Sequence, residues 1–316
     1  YNSENTRRDL QSLFQAKFGK PAYSWQLDVA EAMLVGLDTV LIAGTGAGKT
    51  IPFMLPLLMD KQKKVLVVSP LKVLQNDQVR SVPLCSLHSK LTDHQILQNI
   101  MDGTYQALFM GPEMCLEHAE FRKAVQTISK DIVAIIVDES HCISQWGGEF
   151  HPHYAQLERL HTLVPDGTSV LAASTTLNPQ ALDDVYNKLV IDKNTCFHLN
   201  LSNDGQNIST SVHSMKGSND LPALKDHLNL SVGTLVEIPK TLIFMNSVKL
   251  TQHSCQFIQE KYPSHWHQYI DYIHAYRSQQ DKRKVMRKFR EGKIRILMAM
   301  EAAGMVCNRV IYHFLC

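Results

Sequence analysis

The chain has 316 residues, of which 44% are hydrophobic and 20% charged, and its formal net charge is +2 at pH 7. This composition is ordinary for a globular protein, and the length is enough for two domains with separate cores. No apolar run approaches the roughly 18–20 residues that span a bilayer, and the N-terminus lacks a signal-peptide pattern. The composition therefore excludes a membrane protein. Because the sequence begins with Tyr1 rather than methionine, we expect a further segment upstream.

The cysteines are scattered and form no C-x-x-C pair, so no zinc site of the usual spacing is predicted. They stand at Cys85, Cys115, Cys142, Cys196, Cys255, Cys307 and Cys316. Dispersed thiols of this kind are typical of reduced, mostly buried cysteines in an intracellular protein. The expected location is therefore the cytosol or the nucleus.

Short β-branched runs alternate with helical patterns in the first half, which is typical of a parallel sheet with crossover helices. Their near-continuous apolar character predicts strands that are buried on both faces. The predicted strands are Thr39–Ala43, Val65–Ser69, Ala107–Met110, Val133–Val137 and Ser169–Ala173. Between Leu199 and Ser218 the sequence becomes polar, and a linker is predicted there.

The same alternation restarts after the linker. Strands are predicted at Thr241–Met245, Tyr269–His274, Ile294–Met298 and Val310–Phe314, and helices at Val248–Lys261 and Gln279–Phe289. The predicted fold is therefore α/β with two tandem lobes, residues 1–200 and 201–316. Each lobe is a mostly parallel sheet flanked by helices.

The segment from Ala43 to Thr50 (AGTGAGKT) follows a predicted strand and precedes a helix, which is the context of a phosphate-binding loop. Small residues let successive backbone amides point at a phosphate, and the helix N-terminus adds its positive end. Lys49 is predicted to reach the β- and γ-phosphates, and Thr50 to offer its hydroxyl to Mg²⁺. The candidate ATP-binding residues of this loop are Thr45, Gly46, Ala47, Gly48, Lys49 and Thr50.

A second candidate element is the apolar run Ile135–Val137, which ends in two adjacent acids, Asp138 and Glu139. A carboxylate at a strand end suits Mg²⁺, which prefers oxygen ligands, so Asp138 is the predicted metal residue. Its neighbour Glu139 is the predicted general base for the attacking water. An Asp-Glu pair alone could merely cap the next helix, but beside a phosphate-binding loop it indicates nucleotide hydrolysis.

These motifs resemble those of the RecQ group of superfamily 2 helicases. The run Asp138–Gly147 (DESHCISQWG) is similar to the family's DEAH box and aromatic-rich loop, and A-x-x-G-x-G-K-T is a superfamily 2 form of the phosphate loop. The resemblance implies two RecA-like lobes, ATP and Mg²⁺ as cofactors, and a catalytic role for His141 in coupling the lobes. The loop departs from the family at Gly148 and at His151, where the family's arginine is missing.

Further motifs follow in the family's order. Gln26 resembles the adenine-recognition residue, Ser69-Pro70 and Gly111 resemble strand-end motifs that touch DNA, and Ser174-Thr175-Thr176 resembles the motif linking hydrolysis to lobe movement. In the second lobe, Ile273-His274-Ala275 and Phe289–Lys293 resemble motif IV stretches, and Glu301–Met305 resembles motif V in its fungal form. The resemblance makes His274 a candidate DNA contact, although a core position fits it equally.

The resemblance also implies movement 3′ to 5′ on single-stranded DNA, with partly duplex DNA as substrate, in the nucleus. Trp146 and Phe150 are predicted to stack on bases, a contact worth about 1–3 kcal/mol each. Gln145 is predicted to relay bound DNA to the ATP site. The alternative for Trp146 is an ordinary core position. Protein partners are not predicted.

A strongly basic stretch lies between Arg277 and Arg295, where nine basic residues and two acids give a local net charge of +7. A solvated helix face and a surface that follows nucleic-acid phosphates explain it equally well.

Two other functions stay open. The substitutions at Met300, Gly148 and His151 allow a non-catalytic RecQ-like module that binds nucleic acid in response to ATP. An RNA helicase is the second alternative, because superfamily 2 shares one general plan. No Q-x-x-G-R-x-G-R motif VI precedes Cys316, so the second lobe is expected to be incomplete and the natural protein to continue beyond it.

Overall fold

The computed structural model describes residues 1–69, 84–86, 94–146, 152–202, 209, 211–217, 220–228, 234, 237–300 and 313–315. The chain forms two compact units, Tyr1–Ile208 and Ser209–Cys316. The first unit thus extends slightly beyond the predicted lobe boundary at residue 200. No helix in these described ranges is long and apolar enough to cross a bilayer.

The first unit is a layered α/β structure. Its α-helices are α1 (Ser3–Phe18), α2 (Ser24–Leu34), α3 (Thr50–Met59), α4 (His94–Met101), α5 (Pro112–Glu117), α6 (Ala119–Ile128), α7 (Cys142–Trp146) and α8 (Pro179–Lys188). Its strands are β1 (Thr39–Ile42), β2 (Lys64–Val68), β3 (Leu84–Ser86), β4 (Ala107–Met110), β5 (Ile132–Asp138), β6 (Ser169–Ser174) and β7 (Phe197–Asn200). Short 3-10 segments span Ser129–Asp131 and Pro152–Leu163.

All seven strands form one parallel sheet in the order β3-β4-β2-β5-β6-β1-β7. The central strands are buried on both faces, which explains their continuous apolar sequences. Alternate side chains divide between two cores: Leu66 and Val68 of β2 belong to one, and Val65 and Val67 to the other. The predicted parallel α/β fold is confirmed.

The predicted linker starts too early. Leu199 lies in β7, which pairs with β1 through Leu41. Strand β7 has only one neighbour in the sheet, and its side chains alternate between half-buried and exposed. An edge strand of four residues therefore lacks the continuous apolar run by which the inner strands were predicted.

The second unit is smaller. Its strands are β8 (Thr241–Phe244), β9 (Ile270–Ile273), β10 (Ile296–Ala299) and β11 (His313–Leu315), and its α-helices are α9 (Val248–Gln259) and α10 (Gln279–Arg290). Leu221–His227 and Ser264–Tyr269 are 3-10 segments. The strands form a parallel sheet in the order β11-β8-β10-β9, so the second lobe is also α/β as predicted.

Candidate active site

The carboxyl edge of the first sheet gathers most of the predicted site. The neighbouring strands β4, β2, β5, β6 and β1 all end at this edge. The residues at or directly after these ends are, in the same order, Gly111, Ser69, Asp138, Ser174 and the phosphate loop. Backbone bonds tie these ends together: Ser69 N–H donates to Met110, Ser140 N–H to Ala173, and Ala43 N–H to Ser174. Ligands of open parallel sheets bind at this edge.

The phosphate loop leaves its amides available for a ligand. Gly46 and Gly48 have φ of 83° and 91°, a left-handed conformation that glycine adopts without strain. Among the described residues, the backbone amides of Gly46, Gly48 and Lys49 donate no hydrogen bond. Helix α3 begins at Thr50, so its positive end faces the same loop. Free amides at a helix N-terminus are the donor set that a phosphate requires.

Gln26, the predicted adenine residue, supports the phosphate loop. Its side chain is 3% exposed, and its amide donates to the Gly48 carbonyl at 3.2 Å while its oxygen accepts from Tyr23 N–H at 2.9 Å. A Cβ atom at position 48 would lie 2.8 Å from the Gln26 amide nitrogen. The loop therefore needs glycine at position 48 for close packing as well as for its backbone angle.

The Lys49 ammonium donates to the carbonyls of Ala43 and Gly44 at 2.8 Å and 3.3 Å. Burial lowers the pKa of Lys49, and the negative charges of Glu139 and Asp138 oppose that shift. Lys49 and the two acids therefore lie close enough for their charges to interact. A half-buried ammonium beside free amides fits a polyphosphate.

Glu139 follows the last residue of β5 and has φ of 53°, an uncommon conformation for a residue other than glycine. Its amide is held by the Asp138 carboxylate at 3.1 Å. Burial raises the pKa of Glu139, and the positive charge of Lys49 acts in the opposite direction. A carboxylate with a raised pKa is better suited to accept a proton than an ordinary surface glutamate.

His141 links the acids to the neighbouring strand. Its Nδ1 lies 3.0 Å from Ser174 Oγ and 3.4 Å from the Glu139 carboxylate. Ser174 Oγ in turn donates to the Thr176 carbonyl at 3.0 Å. The predicted catalytic histidine is therefore joined directly to the Ser-Thr-Thr segment, whose serine was not among the predicted catalytic residues.

The site fits ATP and Mg²⁺ by the chemistry of its donors. The amides of the loop and the Lys49 ammonium would hold phosphate oxygens, and the Thr50 hydroxyl and Asp138 carboxylate would serve the ion or its water shell. Two protein ligands are enough to bind Mg²⁺, because this ion usually keeps several of its waters. Within the described ranges, no group of three or more His, Cys, Asp or Glu residues could hold a metal ion.

Two predicted DNA contacts, Ser69 and Gly111, lie side by side at the strand ends. Ser69 is 2% exposed, and its hydroxyl has no hydrogen-bond partner in the described part of the chain. Gly111 forms the N-cap of α5, and a Cβ atom there would come within 2.5 Å of the Glu113 carboxylate. Both residues therefore lie at the carboxyl edge of the sheet, and their contact with DNA stays a prediction.

The aromatic-rich loop is only partly described. Helix α7 contains Gln145 and Trp146, whose side chains lie outside the described residues. Pro70, Phe150 and the family departures Gly148 and His151 also lie outside them, as does the motif V run 301–305.

His274 in the second unit is 7% exposed, which leaves little of its ring for DNA. The Gln252 amide donates to His274 Nε2 at 3.0 Å, so the neutral ring carries its proton on Nδ1. That nitrogen is buried without a partner among the described residues. His274 stacks on Tyr272 with ring centroids 5.3 Å apart. Its contacts are those of a core residue.

The chain is similar in sequence to known proteins. Residues 23–185 match the DEAD/DEAH box helicase family, and residues 222–308 match the helicase conserved C-terminal domain. The ATP-dependent DNA helicase RecQ of Bacillus subtilis is 32% identical over 219 residues, covering 66% of this chain and 36% of the relative. RecQ of Pasteurella multocida is 28% identical over 324 residues, covering 96% and 47%. The chain thus spans less than half the length of these relatives.

Solved structures with low identity share the fold. The Mycobacterium smegmatis helicase Lhr bound to single-stranded DNA and AMP-PNP superposes with a TM-score of 0.63 at 20% identity, covering 94% of this chain and 41% of Lhr. Dbp5 of S. cerevisiae, bound to RNA and ADP BeF3, gives 0.67 at 18% identity, covering 93% and 74%. A matching family over half of the chain and this fold lead to one conclusion: the chain belongs to the DEAD/DEAH box helicases and resembles their RecQ-type members.

Proposed function

We propose that the chain is the motor of an ATP-dependent DNA helicase that moves 3′ to 5′ on single-stranded DNA and separates duplex DNA. One arrangement carries the catalytic part: the loop with its free amides and Lys49 is bonded through Ala43 to Ser174, and His141 joins that same serine to Glu139. The similarity to proteins named DNA helicases supports DNA as the partner. Single-stranded and partly duplex DNA are the proposed substrates.

The chain's own residues divide the chemistry. The loop amides and Lys49 bind and orient the phosphates, and bound Mg²⁺ would neutralise part of their charge. Glu139 accepts the proton of the attacking water, and burial raises the pKa of its carboxyl towards the working pH. His141 holds the acid segment against Ser174, so a shift of β6 reaches the base through one hydrogen bond.

The finer features belong to the same proposal. Trp146 and Phe150 stack on bases, Gln145 relays that contact to Glu139, and Ser69, Pro70 and Gly111 hold the DNA backbone. Nuclear DNA as substrate makes the nucleus the proposed location. The Glu301–Met305 run supports a fungal type of RecQ-like protein.

Strand displacement tests this function. A duplex with a 3′ single-stranded tail should separate with ATP, while a 5′-tailed duplex and a non-hydrolysable ATP analogue should give no separation. Displacement from the 5′ tail alone would contradict the polarity. Binding of DNA without any ATP hydrolysis would instead favour the non-catalytic module.

RNA is the other candidate partner, because the fold also superposes on an RNA-bound helicase. ATP turnover measured with equal concentrations of single-stranded DNA and RNA separates the two. We expect the stronger stimulation from DNA. Stimulation by RNA alone would replace the DNA proposal.

A further inference from the structure

The second unit displays an aromatic side chain that folding does not explain. Tyr276 is 85% exposed, although large aromatic rings normally bury most of their surface. Tyr272, His274 and Tyr276 occupy alternate positions, and their rings follow one another with centroids 5.3 Å and 6.2 Å apart. The Tyr272 ring also lies under the Arg277 guanidinium at 4.9 Å. Tyr276 is therefore the exposed end of a row of rings.

The backbone on both sides of Tyr276 is held in place. The Lys282 ammonium donates to the Ala275 carbonyl at 2.8 Å, and Arg277 pairs with Asp271 at 2.8 Å. Ser278 then caps α10 by accepting from Asp281 N–H at 3.1 Å. An exposed ring on an anchored backbone loses little conformational freedom when a ligand stacks on it.

Helix α10 continues this surface with positive charge. Gln280, Arg283, Lys284 and Arg287 line an open cleft and are exposed. Among the described residues, the side chains of Arg283 and Lys284 form no hydrogen bond or ion pair. Arg283 and Arg287 are four residues apart, as are Lys284 and Lys288, and like charges at this spacing destabilise a helix. Arg287 and Lys288 are favourable in the last turn of the helix, but helix stability does not explain Arg283 and Lys284, whose side chains are available to an anionic ligand.

We propose that Tyr276 and the Arg283, Lys284 and Arg287 face of α10 form a binding platform for single-stranded nucleic acid. The cations would bind phosphates, and the ring would stack on a base without reading sequence. Neither Tyr276 nor these cations are among the helicase motif residues identified above. The platform deepens the proposed motor function and rests on it, because it names a contact surface for the same partner.

The composition of the platform favours a single strand over other anions. A duplex hides its base faces in the stack, so an exposed ring has nothing to stack on there. A membrane-binding helix needs an exposed apolar face, but Val285 and Phe289 of α10 are buried in the core of the second unit. An aromatic ring beside cations is the combination that sequence-tolerant single-strand sites use.

Affinity for oligothymidine tests the ring. Fluorescence anisotropy on the 316-residue chain, without ATP, should show Tyr276→Ala binding at least about fivefold more weakly than wild type, and Tyr276→Phe binding almost as well. A blunt duplex should not discriminate between these variants. Equal affinity of Tyr276→Ala and wild type for oligothymidine, or an equal loss on the duplex, would overturn the platform.

Salt dependence tests the cations. Replacing Arg283, Lys284 and Arg287 by Glu should lower the slope of log affinity against log salt by about 2, since each single-strand phosphate contact contributes roughly 0.7. The matched control replaces Lys216, Lys249 and Lys261, three exposed lysines of the same unit, and should keep the wild-type slope. Equal slopes for both triple variants would contradict the proposal. So would binding to anionic lipid vesicles in place of oligothymidine.

Basal ATP hydrolysis separates this proposal from the motor function. The variants change only the second unit, whereas Lys49 and Glu139 belong to the first, so their basal turnover should equal that of wild type. Wild type that binds oligothymidine through Tyr276 but hydrolyses no ATP would support the platform and contradict the motor. If wild type hydrolyses ATP but Tyr276→Ala does not change the affinity for oligothymidine, the motor function would be supported and the platform contradicted.

Discussion

Two features of Glu139, its backbone conformation and the burial of its carboxyl, cost free energy of folding. Its φ of 53° is a conformation that usually costs a non-glycine residue about 1 kcal/mol or more, and its carboxyl is largely buried. Strained and desolvated groups persist where the surrounding structure holds them for a function. The neighbouring Lys49 offsets part of the charge penalty but does not remove it, since the pKa of Glu139 is still raised.

The raised pKa predicts a pH-dependent gain of stability in Glu139→Gln. The folded state disfavours the ionised carboxyl, so wild type loses stability as the pH rises from the unfolded pKa through the folded pKa. Glutamine cannot ionise, and the variant should therefore melt at a higher temperature at pH 7. The difference should vanish below the pKa of an unfolded glutamate, about 4.3. Calorimetry at both pH values measures this.

Glu117→Gln is a control, because the pKa of Glu117 is shifted in the opposite direction to that of Glu139. His153 accounts for the lowered pKa of Glu117, so folding favours the ionised form. That variant should gain nothing at pH 7. A Glu139→Gln variant less stable than wild type at pH 7 would show that the Lys49 pair outweighs burial.

Lys49→Ala should abolish tight ATP binding, because the loop then has no side-chain cation for the phosphates. Titration with a fluorescent ATP analogue measures the affinity. Lys61→Ala removes an exposed lysine of the same unit and should bind like wild type. Unchanged affinity in Lys49→Ala would remove this residue from the site.

At the scale of elements, strands β5 and β6 are connected by the His141–Ser174 hydrogen bond. Ser174→Ala should keep ATP binding while losing most of the stimulation of hydrolysis by single-stranded DNA. The reason is that the His141 side chain, which contacts Glu139, then loses its hydrogen bond to β6. Steady-state turnover with and without DNA measures the ratio.

Ser169→Ala supplies a matched control on the same strand. Ser169 is 1% exposed and donates to the Val133 carbonyl at 3.2 Å, so its loss also removes one buried hydrogen bond, worth about 1 kcal/mol. It lies at the opposite end of β6 from Ser174. An equal loss of stimulation in both variants would mean that general destabilisation, and not coupling, is the cause.

The local sequence was enough to predict the strands that have a continuous apolar pattern. The inner strands β1, β2, β4, β5 and β6 were predicted to within about one residue at each end. Strand β7 was missed in favour of a linker, because an edge strand of four residues that alternate between half-buried and exposed has no such run. The phosphate loop and the acids were predictable as a site, since the carboxyl ends of parallel strands meet at one edge.

Contacts between distant residues could not be predicted in this way. The Gln26 amide supports Gly48 through a packing contact that neither motif contains. The Lys282 hydrogen bond to the Ala275 carbonyl, which holds the backbone beside Tyr276, is likewise part of no motif. Residue spacing shows which side chains share an element, whereas the joining of separate segments depends on tertiary structure.

At the scale of the whole molecule, the proposed functions are divided between the two units. The first holds the nucleotide chemistry and the second displays the cations and exposed ring, so a motor requires ATP hydrolysis to respond to bound DNA. A ligand changes such an equilibrium only by binding one state better than another. DNA-dependent hydrolysis is therefore the property that distinguishes a motor from two independent binding sites.

The most direct test is ATP turnover with and without single-stranded DNA in wild type and in Glu139→Gln. Wild type should be stimulated by DNA, and the variant should bind ATP normally but turn over at least about 10²-fold more slowly, the usual scale for loss of a general base. Wild-type turnover in Glu139→Gln, or no response of wild type to DNA, would contradict the proposed motor.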